Sequence, residues 1–225
     1  MVNINRIPAT PEIEQFLEKQ KKIKSGKYEN EEIGKLLKKM FFEKCYLCEE
    51  NVTSYEVDHF IPHLGGKFSD LKFDWNNLYF SCPHCNNAKS DDYNTSPSNE
   101  ILDCCNPSHD IENSLRYEMV KLKSEIKISA TRNEPIVENT AKLLNLIYEG
   151  STSHKKIEAE TLRKKIFEEV LKFQKKIDKY LNNKSIDELN KVVKKMSRKS
   201  PFCAFKRSII KNDHHLSNEF AGYFD

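Results

Sequence analysis

The 225-residue chain carries 37 lysines and arginines against 34 acidic residues, which gives a net charge of +3. No apolar run approaches the roughly 20 residues that span a bilayer, and no signal-peptide core follows Met1, so we expect a cytoplasmic protein without a membrane segment. The odd count of seven cysteines favours a reducing compartment. Few glycines and prolines, with abundant Lys, Glu and Leu, predict a mainly helical chain.

Two amphipathic helices are predicted in the first part of the chain. Thr10 and Pro11 form a typical N-cap and first helical position, and apolar residues recur at helical spacing over residues 13–23. After a Ser-Gly break, a second apolar face follows over residues 33–41. We therefore treat residues 1–44 as a helical N-terminal extension that can dock a partner.

Two C-x2-C pairs, Cys45 with Cys48 and Cys82 with Cys85, predict a structural zinc site. Four thiolates can surround one tetrahedral zinc ion at roughly 2.3 Å. The gap between the pairs is longer than the roughly 15 to 20 residues of a zinc ribbon, so the intervening chain must carry structure of its own. The alternative is four buried or disulfide-bonded cysteines.

The segment between the two cysteine pairs predicts a short β-structure. Residues 54–57 favour a strand, residues 60–62 its return, and a helix or turn is expected to begin at Asn76. Asp58 and His59 directly follow the first of these strands. This placement makes them the candidate reactive residues of the segment.

Asp58 and His59, then Asn77 before a leucine, then Asn86 directly after the last cysteine, resemble the motif of the HNH endonuclease family. The resemblance implies a ββα-metal core over residues 45–92 that hydrolyses phosphodiester bonds. The predicted fold class is therefore α+β, mainly α, with a four-cysteine zinc knot in this core and helices on both its N- and C-terminal sides.

Each motif residue has an expected role. The neutral imidazole of His59 can act as a general base near neutral pH. Asp58 and Asn86 offer oxygen ligands suited to a catalytic Mg²⁺ or Mn²⁺ ion. By family resemblance, Asn77 ties the loop that orients the base. Lys89 resembles a lysine that often follows the motif and can contact a nucleic-acid phosphate, with an exposed structural lysine as the alternative.

Other histidines and cysteines have weaker claims to a role. His63 can lend a second imidazole, but a proline separates it from the candidate base. His84 lies between two cysteines, where side chains usually face solvent. Cys104, Cys105 and Cys203 are expected to be buried thiols, because the sequence does not supply the further ligands of a second zinc site.

Residues 93–225 are predicted as a helical C-terminal region that begins after a polar connector. A helix should follow Pro135 and end before Gly150, and a long helix should cover residues 157–181. Ser185 begins a capping box for another helix. Residues 151–211 hold 18 lysines and arginines against 7 acidic residues. This basic stretch is typical of a phosphate-tracking surface or of a solvated helical face.

Flanking segments resemble one branch of the HNH family, the PtuB nuclease subunits of Septu-type anti-phage systems and their retron-associated relatives. The segments are residues 4–8, 101–105, 143–147 and 162–163, and Cys104 departs from the proline usual there. The resemblance implies phage or plasmid DNA as substrate and an ABC-type or SMC-like ATPase (PtuA-like) as partner. We expect excess amphipathic helical surface to dock this partner or a second copy, as in a homodimer within a larger complex.

Two other classes remain open on the sequence. A stand-alone HNH nuclease of the restriction or homing type would share the motif, although no sequence-reading module is evident. A non-catalytic zinc module that binds nucleic acid or protein would share only the cysteines. The residues also leave RNA open as a substrate.

Overall fold

The computed structural model describes residues 1–120 and 125–224. Its α-helices are α1 (Pro11–Lys21), α2 (Glu31–Met40), α3 (Ser69–Lys72), α4 (Pro83–Lys89), α5 (Ile111–Ser114), α6 (Pro135–Glu149), α7 (Ser153–Asn183), α8 (Ile186–Met196), α9 (Cys203–Asn212) and α10 (His214–Glu219). Its strands are β1 (Glu56–His59), β2 (Leu78–Ser81), β3 (Leu115–Val120) and β4 (Glu125–Ala130). The predicted region 93–225 includes positions 121–124 and 225, which lie outside the described residues. The mainly helical α+β fold class is confirmed.

Side-chain caps begin three of the helices, two of them where the sequence placed them. Thr10 accepts a hydrogen bond from a backbone amide in the first turn of α1, and Ser185 does the same for α8. Thr152 caps α7 in the same way. These hydroxyls satisfy amides that would otherwise lack a partner inside the helix. The predicted N-termini at Pro11 and after Ser185 are therefore confirmed.

Antiparallel strands β1 and β2, followed at once by α4, form the ββα unit. The register pairs Asp58 with Tyr79 and His59 with Leu78. The predicted return strand at residues 60–62 is wrong. Pro62 has no amide to give a strand partner, and the chain turns away through Gly65, whose φ is +68°. The true partner is a run of four buried residues, which shows no alternation that would mark a strand.

A second antiparallel hairpin, β3 with β4, was not predicted. Its signal is an alternation of apolar and polar residues in both strands, which buries Tyr117 on one strand and Ile126 and Ile128 on the other. Asn145 of α6 donates to the carbonyl of Ile128 and accepts from its amide. These bonds dock the hairpin on α6.

One apolar core includes residues from the N-terminal helices, the cysteine pairs, the second hairpin, α6, α9 and the first half of α7. The inward faces of α1 and α2 are covered by the chain itself, since Ile13, Leu17, Ile33 and Leu37 are all buried. These buried residues are therefore not available to a partner, and docking of a partner by other surfaces of residues 1–44 stays a prediction. A smaller cluster joins the second half of α7 to α8 and α10.

Gly150 makes the turn that joins α6 to α7. Its φ is +76°, and a β-carbon at this position would lie 2.5 Å from the backbone of Lys155. Only glycine combines this backbone conformation with so close an approach. The turn brings the N-terminal end of α7 close to the end of α6.

Within the described ranges, the helices lack the combination of length and apolar character that crossing a bilayer requires.

Candidate metal centre and catalytic cleft

The four cysteines of the two C-x2-C pairs converge on one buried point. The sulfur atoms of Cys45, Cys48, Cys82 and Cys85 all lie within 4.8 Å of one another. Cys48 Sγ and Cys82 Sγ are 3.9 Å apart, and no disulfide joins any of the four. Thiolates at roughly 2.3 Å from a tetrahedral zinc lie about 3.8 Å from each other. The spacing therefore fits a zinc ion.

The chemistry of this cluster also suits a cation. Burial by itself raises the pKa of the Cys45 thiol, but hydrogen bonds from Cys48, Cys82 and Cys85 outweigh burial and hold that pKa well below its usual value. The thiolate form, which is the metal ligand, is thus favoured at Cys45, whereas hydrogen bonding to Cys45 raises the pKa of Cys48 and burial raises that of Cys85. Binding of a zinc ion would release the protons of these thiols. Cys82 also caps α4, accepting the amide of Cys85, so the cluster fixes the start of the helix that carries Asn86.

A polar cleft of about 760 Å³ opens beside the ββα unit. Its size lies within the roughly 300 to 1,000 Å³ typical of ligand sites. It is lined by Tyr28, Val57, Asp58, His59, Pro62, His63, Asn86, Asn87, Ala88, Ser90, Asp91, Asp92, Leu146, Ser151 and Lys155. The structure therefore brings Asp58, His59 and Asn86 to one cavity, as the motif predicted they should be.

His59 is held in one orientation by its surroundings. Its Nε2 lies 3.0 Å from the carbonyl oxygen of Lys72, which can only accept, so Nε2 carries the proton and Nδ1 is left as the basic nitrogen. The rings of Tyr28 and His63 each pack edge-on against the imidazole at 4.5 Å. Burial lowers the pKa of His59 to about 4, so the ring is neutral at pH 7.

Asp58 is 5% exposed and is held by two donors. Tyr46 donates its hydroxyl to Oδ2 at 2.6 Å, and Lys89 donates Nζ to Oδ1 at 3.1 Å. Burial raises the pKa of Asp58, while Lys89 and Tyr46 act in the opposite direction. Two of the roughly four lone-pair positions of the carboxylate remain for another ligand.

Lys89 occupies a different place from the one predicted. It is 1% exposed, and its ammonium group also donates to the carbonyl of His59 at 2.7 Å. Neither an exposed structural lysine nor a direct phosphate contact fits this position. Lys89 instead neutralises the buried carboxylate of Asp58.

Replacing Lys89 with methionine should destabilise the protein, because it leaves the carboxylate of Asp58 buried without its cation. Removing one partner of a buried ion pair costs about 3 to 5 kcal/mol. We expect that loss in the free energy of unfolding, measured by urea denaturation of the zinc-loaded protein. The matched control is Lys39→Met on the exposed face of α2, which should change stability by less than about 0.5 kcal/mol. Equal stabilities of the two variants would contradict this account.

Asn86 lines the cleft, whereas Asn77 does not. Asn86 Nδ2 donates to Glu56 Oε2 at 2.7 Å, which leaves the amide oxygen of Asn86 available as a ligand. Asn77 is buried and does not line the cleft. Its amide group accepts from the backbone of Ile61 and donates to the carbonyls of Ile61 and Leu71. These three bonds tie the β1–β2 connection together next to the carbonyl that orients His59.

Sequence reasoning missed the contributions of Tyr28, Glu56 and Lys155 to the site. Tyr28 and Lys155 lie far from the motif in sequence, so no spacing rule could mark them. Glu56, the first residue of β1, lies only two positions before Asp58, and this proximity was the one available signal. His84 does not face solvent as expected, because its ring bonds Glu158 Oε2 at 2.9 Å and the carbonyl of Ile147 at 2.8 Å.

The remaining cysteines lie outside the tetrathiolate cluster. Cys203 is buried and donates to the carbonyl of Met196 at 2.9 Å, and Cys104 is buried as expected. Cys105 is only half-buried. The ligand atoms of Asp103, Cys104 and Cys105 lie within 4.8 Å of one another. Asp103 Oδ1 already accepts from Tyr79 and from the amide of Cys105.

Residues 45–92, which hold the ββα unit and this site, match the family model described as HNH endonuclease. The segment with the motif was therefore correctly assigned from sequence.

Among individual proteins, the chain is similar to the Septu protein PtuB of Bacillus mycoides (strain KBAB4), with 38% identity over 80 residues. The match covers 29% of this chain and 27% of that relative, so the chain spans little more than a quarter of the relative's length. The predicted resemblance to the PtuB branch is confirmed over this part. No solved structure matches the chain.

Proposed function

We propose that this chain is a metal-dependent endonuclease that hydrolyses phosphodiester bonds in DNA. The observation that carries the proposal is the neutral imidazole of His59, oriented by a backbone carbonyl, in one cleft with Asp58 and Asn86. The match of residues 45–92 to the HNH endonuclease model supports the reaction class.

In this proposal, His59 is the general base. Its Nε2–H is bound to the carbonyl of Lys72, so Nδ1 accepts the proton of the attacking water. The burial that lowers its pKa to about 4 keeps the ring unprotonated and ready at neutral pH. Asn77 holds the loop that presents the Lys72 carbonyl, and so acts on the base through its orientation.

Asp58 and Asn86 would hold the catalytic ion, and their oxygen donors fit Mg²⁺ or Mn²⁺. When bound, such an ion polarises the scissile phosphate and stabilises the leaving oxygen. Burial raises the pKa of Asp58, and Lys89 opposes this rise by pairing with the carboxylate. Glu56 accepts a hydrogen bond from the amide nitrogen of Asn86, which leaves the amide oxygen of Asn86 available as a ligand.

We further propose that the nuclease acts in an anti-phage defence system. The similarity to a protein named as a Septu component supports this role. The branch resemblance implies an ABC-type or SMC-like ATPase as the partner that restrains or licenses cleavage, with phage or plasmid DNA as substrate. Because the apolar faces of α1 and α2 are already buried, such a partner must use other surfaces.

The test is cleavage of supercoiled plasmid DNA by the zinc-loaded protein. We expect nicked or linear products with added Mg²⁺ or Mn²⁺ and none after the labile divalent ions are removed by dialysis. Restoring either ion should restore cleavage. Without the ion, the oxygens of Asp58 and Asn86 carry no positive charge that could stabilise the negative charge on the phosphate. Repeating the assay with the candidate ATPase tests the partner.

The proposal fails if pure, zinc-loaded protein cleaves neither DNA nor RNA with any of these ions, with or without the ATPase. Cleavage of RNA alone would retain the reaction class and change the substrate.

A further inference from the structure

The lining of the cleft holds more acidic than basic side chains. Three carboxylates line it, those of Asp58, Asp91 and Asp92. Among the described residues, Lys155 is the only lysine or arginine in the lining. Lys89 is close in sequence to the motif, but its ammonium group is committed to Asp58 and is buried. A polyanionic substrate therefore meets one ammonium group inside the cleft.

Lys155 comes from outside the HNH segment. It lies in the first turn of α7, where Leu146 and Ser151 belong to the same wall of the cleft. The tight turn at Gly150 fixes this wall, since the glycine approaches the backbone of Lys155 too closely to carry a side chain. The cleft thus has one wall from the ββα unit and another from the C-terminal helices.

The ammonium group of Lys155 is not paired with an acid in the described part of the chain. Farther along α7, Lys164 pairs with Glu160, Lys165 with Glu50, and Lys172 with Glu169. Lys155 is half-buried at the cleft, whereas the adjacent Lys156 is exposed and does not line it. The two lysines therefore share a helical turn and differ in access to the cleft.

We propose that Lys155 binds a phosphate of the substrate backbone beside the scissile one, so that the nuclease site is completed by α7. This inference rests on the proposed function and adds a binding residue from beyond residues 45–92. A lysine acts on phosphate as a point charge and does not distinguish one base from another. Lys155 accordingly contributes affinity that is independent of DNA sequence.

The experiment measures binding of a short DNA duplex in Mg²⁺ by the zinc-loaded 225-residue His59→Ala chain, with Lys155→Gln and Lys156→Gln added separately. Removing one phosphate contact should reduce the slope of log affinity against log salt by about 0.9. We expect this reduction, and roughly tenfold weaker binding, for Lys155→Gln only. Lys155→Arg should bind as the parent does, because it keeps the charge.

The same substitutions in the protein that retains His59 distinguish an effect on substrate binding from an effect on the chemical step. Lys155→Gln should raise KM for cleavage with little change in kcat, while Lys156→Gln should match the unsubstituted protein. Equal salt slopes and equal KM values for the two variants would overturn the inference and leave the nuclease proposal standing. DNA binding that depends on Lys155, without cleavage of DNA or RNA in any ion and with or without the ATPase, would retain Lys155 as a phosphate-binding residue but refute the nuclease and the placement of Lys155 beside a scissile phosphate. Absence of both binding and cleavage would refute both.

Discussion

Replacing His59 with alanine should reduce metal-dependent DNA cleavage by about 100- to 10,000-fold, the usual contribution of a general base. The reason is that Nδ1 of His59 is the basic nitrogen left free in the cleft once Nε2 is bound to the carbonyl of Lys72. His59→Asn should lose as much activity, because its amide keeps a polar side chain but accepts no proton near neutral pH. Initial rates of plasmid nicking measure the effect.

Loss of activity must be separated from loss of fold. Zinc content and the midpoint of urea unfolding should remain near those of the parent in the His59→Asn protein, since the tetrathiolate cluster does not include this residue. The matched control is His215→Ala, an exposed histidine in α10. It should cleave at the parental rate. Parental cleavage by both His59 variants would remove the imidazole from the mechanism.

Removing zinc should unfold the HNH segment and loosen the N-terminal helices that pack against it. Structural zinc contributes on the order of 10 to 16 kcal/mol in zinc-finger peptides, which is comparable to the roughly 5 to 15 kcal/mol that stabilises a typical domain. Cys85→Ser removes a ligand at the start of α4, next to Asn86. We therefore expect this variant to lose zinc, α-helical circular dichroism and hydrogen-exchange protection over residues 45–92.

The matched control for the zinc experiment is Cys203→Ser. Cys203 is also buried, but its sulfur only donates to the carbonyl of Met196, and a serine hydroxyl can make the same bond. This variant should retain one zinc per chain and its cooperative unfolding. If a strong chelator extracts the metal from the parent without changing its unfolding midpoint, the cluster is not a structural zinc site.

Local signals explain which parts of the fold could be predicted. The caps at Thr10 and Ser185 act within one turn of a helix, so sequence spacing is enough to place them. The pairing of β1 with β2 is different, because it joins segments about twenty residues apart and depends on how the intervening loop closes. A four-residue strand buried throughout carries too little periodicity to locate such a partner.

The site likewise combines features that local sequence order predicts with features that depend on contacts between distant segments. The order of Asp58, His59 and Asn86 predicted a shared cavity, and all three line one. The position of Lys89 was not predictable, because whether a lysine reaches solvent or turns toward a buried carboxylate depends on the packing around it. Lys155 enters the cleft only because the α6–α7 turn brings it there.

The sequence by itself determined the four cysteines of the candidate metal centre and the chemistry-bearing motif, because both depend on residue type and short spacing. Tertiary structure alone decided which apolar faces are covered, which nitrogen of His59 is free, and which lysine faces the cleft. These properties arise from contacts between segments distant in the chain, and their energies depend on burial and on partners that no local pattern specifies.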